Sequence, residues 1–191
     1  QPGVLEHSHD GDGFPTVLYP FHDAAVPDPH SDRTEGLGDR LRERGHAPKV
    51  MYTNTSAEYW GSAAALVHTD PLGERDVPLP DNVRLYHFAG TQHARGPFPT
   101  GDGGYMVGGL EPLGRYPASP VDTRHSLRAL VLALDAWVRD GTPPPESCYP
   151  RIVDGTLVPH EVAAAQWPAI PGAVFPSTAR QPRRRDFGPQ W

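Results

Sequence analysis

The sequence holds one cysteine, Cys148, in 191 residues. A single thiol excludes an internal disulfide and any cysteine-rich zinc site. Its proline-rich surroundings place no basic group beside it, so it is not read as a reactive thiolate. Long apolar runs are missing as well; none approaches the ~18 residues that a membrane-spanning helix needs. Positive charge is in deficit, with Lys+Arg 17 against Asp+Glu 23 and a formal net charge of −6. That balance argues against nucleic acid or an anionic membrane surface as partner, since both reward a basic face. The glycine-rich stretch from Gly96 to Gly114 lacks a GxxxxGK[ST] pattern and a basic residue placed for phosphate, and reads instead as a lid or cleft wall. No serine lies in a G-x-S-x-G elbow: Ser8, Ser31, Ser56, Ser62, Ser119, Ser126, Ser147 and Ser177 are all outside one. The nearest approach, Trp60-Gly61-Ser62-Ala63, falls inside a predicted helix.

What is present is a chain rich in Gly (20) and Pro (24) with 37% hydrophobic residues, which predicts one loop-rich globular domain rather than disorder. The stretch from Lys49 to Ala94 organises it. Two runs of β-branched and aromatic residues, Val50-Met51-Tyr52-Thr53 and Val83-Arg84-Leu85-Tyr86-His87-Phe88, predict strands. Between them the Ala-rich segment Glu58 to His68 predicts a helix, entered through a Thr55-Ser56-Ala57-Glu58 capping box, and Pro71 to Asp81 predicts a loop. An acid past one strand tip and a histidine past the next, in that order, match two parts of an α/β-hydrolase triad.

Elsewhere, Thr16 to Tyr19 suggests a strand and Leu37 to Arg44 a short helix. Ser119-Pro120-Val121-Asp122 has the composition of a helix start. Leu127, Leu130, Val131, Leu134 and Val138 then predict a buried helix face, widened by Ala129, Leu132, Ala133, Ala136 and Trp137 and closed by Gly141 and Pro143 to Pro145. The Arg183 to Arg185 cluster reads as solvated surface.

The segments PKVMYTNTSAEYWGSAAALVHTD, DNVRLYHFAGTQHA, RALVLALDAWVRDGTPPPESCYPRIVDGTLV and WPAIPG, with QPGVLEHSHD and YPFHD near the start, resemble the bacterial alpha/beta hydrolase domain-containing proteins. The motifs TNTSAEYW and YHFAGTQH carry the resemblance most specifically. It implies an α/β class, a partial α/β-hydrolase fold in which residues 1–191 are the C-terminal strands and helices of one domain with a mostly parallel sheet. The serine-bearing half is expected upstream of Gln1. It also implies Glu58 as the triad acid and His93 as the base, a small ester-like substrate and no cofactor. Ser119-Pro120 stands where the family leads one to expect Asn-Pro, a difference confined to a cap or loop.

Each assignment has a plainer competitor. Glu58 could serve only the capping box, with Asp70 and Asp81 as fallback acids in the loop. His87 lies within its strand and reads as a packed core histidine, which favours His93 as base. Tyr59 and Trp60 read as core or cleft-wall aromatics. His7, Ser8, His9 and Asp10, with His22-Asp23, could ligate a metal, but the segment is polar and lacks a second-shell signature, so no metal is assigned. The rival functions are therefore a metal-dependent hydrolase built on those histidines and a non-catalytic, hydrolase-like binding protein.

Overall fold

The computed structural model describes residues 16–93, 95–100, 116–178 and 183–184. His7, Ser8, His9, Asp10 and most of the glycine-rich stretch lie outside them. The described residues divide between two compact units, Pro48–Glu58 with Asn82–Tyr149, and Gln1–Ala47 with Tyr59–Asp81 and Pro150–Trp191. Among the described residues no helix is long and apolar enough to cross a membrane.

In the first of these units, β4 (Val50–Thr55) and β5 (Val83–Phe88) pair in parallel, from Val50 opposite Val83 to Thr55 opposite Phe88. Each begins where the sequence turns β-branched. β5 is the interior strand. On its other edge Cys148 donates its N–H to the Leu85 carbonyl at 2.9 Å and accepts the His87 N–H at 2.8 Å. Ser147 Oγ accepts the Leu85 N–H, and the Tyr86 hydroxyl donates to the Pro145 carbonyl. With both edges engaged, Val83, Leu85 and Tyr86 are buried, each aliphatic side chain contributing about 1.5–3 kcal/mol. The chain thus has the mixed, partly parallel α/β character expected of it.

The long helix α3 (Arg124–Asp140) forms, and Gly141 ends it at φ 72°. Its first residue is later than the sequence suggests. The Asp122 carboxylate accepts the Arg124 N–H and side chain, so the turn is fastened there and Ser119 stays outside the helix. The predicted buried face is only partly realised. Trp137 is buried and Leu127, Leu130 and Leu134 are half-buried, whereas Val131 and Val138 are 65% exposed and Leu132 is 71% exposed. At 3.6 residues per turn, Val131 and Val138 sit roughly 90–110° round from the side centred on Leu130 and Trp137, the only side covered among the described residues. Lys49 and Arg84 both stack on the Trp137 ring, at 4.5 and 4.9 Å from its centroid.

In the other unit β2 (Val26–Asp28) and β3 (Arg33–Glu35) form an antiparallel hairpin. The Asp28 carboxylate accepts the Ser31 N–H and hydroxyl across its turn. The Tyr19 hydroxyl donates to the Val26 carbonyl at 2.6 Å and accepts the Glu35 N–H, tying the two strands together. The strand expected from Thr16 shrinks to β1 (Thr16–Val17), which pairs in parallel with β6 (Arg183–Arg184), and the short helix is α1 (Asp39–Glu43). A last helix, α4 (His160–Gln166), packs His160 against Trp60 and Phe175.

The helix predicted from Glu58 to His68 is instead two pieces. α2 (Ser56–Gly61) starts earlier, and a 3-10 turn (Ala64–Val67) follows it. Gly61 and Ser62 are weak helix formers, and Ala63 takes a left-handed conformation at φ 51° that closes the helix.

Candidate active site

Because β4 and β5 run parallel and end together, Thr55 lies beside Phe88 and both strands release their chains at one edge. Loops leaving the carboxyl ends of parallel strands are where open α/β sheets build their sites. The chain leaving β4 enters α2 at once, and Glu58 falls in its first turn. The chain leaving β5 turns at Gly90, whose φ of 70° suits glycine, and reaches His93 three residues later.

Glu58 divides its two carboxylate oxygens. Oε2 closes the capping box, accepting the Thr55 N–H at 2.6 Å and the Thr55 hydroxyl. Oε1 lies 2.7 Å from His93 Nδ1. One oxygen of Glu58 thus closes the cap and the other faces His93. Partial burial alone would raise the Glu58 pKa, but the bonds from the Thr55 hydroxyl, His93 and the Thr55 and Glu58 amides outweigh it and lower it from its ordinary value. Glu58 is therefore an anion at neutral pH. In neutral His93, donation from Nδ1 to that anion puts the basic lone pair on Nε2. The His93 side chain is 70% exposed while that of Glu58 is 18% exposed, so the imidazole is presented outward from a fixed carboxylate.

Over residues 7–167 the sequence matches the family described as alpha/beta hydrolase domain. The chain belongs to that family. No curated protein and no solved structure matches it. Membership gives the alpha/beta hydrolase its fold class and makes hydrolysis its reaction class.

The other candidates lie elsewhere in the hydrolase. Asp70 is buried and its Oδ1 accepts the Glu74 and Arg75 N–H groups, which gives it a loop-closing role. Asp81 is exposed. His87 is half-buried within β5, and burial lowers its pKa despite the Asn54 carbonyl and the nearby Glu58 charge. His22 and Asp23 are buried, with His22 Nε2 against the Thr69 carbonyl. Among the described residues no group of three or more His, Cys, Asp or Glu side chains is arranged to hold a metal ion. Tyr59 donates to or accepts from His68 Nε2 at 2.7 Å, and Trp60 contacts Phe175. The sequence reading passed over Ser56 as a site residue. Its amide donates to the Thr91 carbonyl and its hydroxyl accepts the Gly90 N–H. The signal was a hydroxyl residue directly after the strand and before the acid.

Proposed function

We propose that this chain supplies the acid and the base of a serine-type ester hydrolase, with Glu58 as acid, His93 as base and a serine outside these 191 residues as nucleophile. The observation that carries the reading is the 2.7 Å bond between His93 Nδ1 and Glu58 Oε1. That bond selects the tautomer whose Nε2 can take a proton, and the anion offsets the imidazolium charge once it has done so.

The serine hydroxyl would attack the carbonyl of a small carboxylic ester or related acyl compound while its proton passes to His93 Nε2. The tetrahedral intermediate then collapses. The C–O bond to the leaving alkoxide breaks and His93 returns the proton to that oxygen, leaving an acyl-serine. Water, deprotonated by His93, attacks the acyl carbonyl and the proton goes back to the serine oxygen as the acid departs. One oxyanion donor in such folds is the N–H following the nucleophile, so it belongs with the serine.

A fluorophosphonate probe tests the reading. The 191-residue chain alone should not label, since no serine in it occupies an elbow. A longer gene product containing an upstream elbow should label, and His93→Ala should remove that labelling. Labelling mapped to a serine of this chain, or undiminished labelling in His93→Ala, would overturn it.

A further inference from the structure

The path along the chain from Glu58 to His93 covers 35 residues, yet a much shorter connection exists through two adjacent hydroxyl residues. Thr55 is the last residue of β4 and Ser56 the first of α2. Thr55 holds the acid: its N–H and hydroxyl both donate to Glu58 Oε2, while the hydroxyl oxygen accepts the Ala57 N–H at 3.2 Å. Ser56 holds the histidine turn. Its N–H donates to the Thr91 carbonyl at 3.2 Å and its hydroxyl accepts the Gly90 N–H at 2.9 Å. Strand pairing ends at Thr55 and Phe88, so these two bonds carry the connection one step past the ladder.

The turn itself is fastened at successive residues. The buried Thr91 donates its hydroxyl to the Phe88 carbonyl at 2.6 Å, and Gln92 Oε1 accepts the Ser119 N–H at 3.2 Å. A side chain as exposed as that of His93 gains little orientation from packing. The Glu58 bond and the place where the backbone delivers it both bear on its direction.

We infer that Thr55 and Ser56 are the positioning residues of the pair, Thr55 fixing the carboxylate and Ser56 fixing the turn that carries His93. The inference rests on the acid–base reading above. Neither residue touches the reacting atoms; each acts through its neighbour, and displacement of order 1 Å costs up to about 100-fold in rate.

Nuclear magnetic resonance on the ¹⁵N-labelled 191-residue chain tests it without activity. In Ser56→Ala and Thr55→Val the His93 Nδ1 proton should exchange with water at least about tenfold faster, as expected when an ordered donor is released to solvent. In Thr55→Val the Glu58 titration should also move up toward its ordinary range. Thr55→Ser and Ser56→Thr, which keep the hydroxyls, should restore both signals. In the longer gene product, Ser56→Ala should lower kcat by about 10- to 100-fold with KM unchanged. Unaltered His93 exchange in both hydroxyl-deleted variants overturns the inference. If Ser56→Ala unfolds the chain, Thr55→Val decides alone, and unchanged exchange there is again fatal. The acid–base reading fails on a different result, probe labelling that survives His93→Ala.

Discussion

Two parts of the molecule use the same residue types to opposite ends. At the tips of β4 and β5, an exposed histidine faces a carboxylate that is held by its own capping box. In the other unit, His22 and His68 are 1% and 0% exposed, and their partners are the Thr69 carbonyl and the Tyr59 hydroxyl. Asp70, the carboxylate there, is occupied by loop amides. Burial lowers the His22 pKa despite the Thr69 carbonyl and the charges of Asp70 and Asp23. A histidine sealed against a carbonyl is a structural group kept neutral. One held by an anion and open to solvent suits the proton transfer proposed for His93.

Substitution should separate these roles in both directions. In a longer gene product carrying the proposed serine, Glu58→Gln should lower kcat about 10³–10⁴-fold, since an amide neither fixes the tautomer nor offsets imidazolium charge. Its stability cost should be only about 1 kcal/mol, the worth of a helix cap. His22→Ala should do the reverse, costing about 2–4 kcal/mol through a cavity and an orphaned Thr69 carbonyl. Urea melts and probe labelling, run on both variants, check the pair. A large loss of labelling in folded His22→Ala, or none in Glu58→Gln, would collapse the distinction.

Acid should distinguish the same two regions. The His22 pKa is lowered on folding, so below its ordinary value of 6.5 the unfolded chain takes up the proton first. The stability contributed by neutral His22 is complete above 6.5 and is lost as pH falls toward the folded-state value. The Glu58 pKa is lowered too, from 4.5, so its contribution persists until pH drops below 4.5 and disappears through the lower folded value. Denaturation midpoints compared between the native chain and each variant should therefore diverge in two separate windows. A His22-dependent slope appearing only below pH 4.5 would contradict the burial assigned to that ring.

Much of the strand-tip region was legible because its determinants are local. β-branched runs placed Val50–Thr55 and Val83–Phe88 to within two residues, and a four-residue capping pattern located Glu58. The sealed region was not legible, because its decisive contacts are with the backbone. His22 meets a carbonyl 47 residues away, and no residue type marks a carbonyl. Periodicity likewise announced an apolar helix at Leu127 to Val138 but could not say which sides of it would be covered. The break at Ala63 had only Gly61 and Ser62 to signal it, and the alanine run beyond masked them.

The smallest expected effect concerns Asp81, which the sequence offered as an alternative acid. It lies just before Asn82, whose carbonyl accepts the Val50 N–H, and so sits at the entry of β5 rather than at its tip. Six residues of strand separate that entry from the edge where His93 emerges, a span of roughly 20 Å at about 3.3 Å per residue. No side chain bridges such a distance, so a carboxylate at Asp81 cannot orient the His93 ring. Asp81→Asn should change stability by less than about 0.5 kcal/mol, as exposed substitutions do. Labelling of a longer gene product carrying the proposed serine should stay within about twofold of its native rate, a difference under roughly 0.4 kcal/mol. A tenfold loss in Asp81→Asn with the fold intact would move the proposed acid's role away from Glu58 and leave that residue as a helix cap.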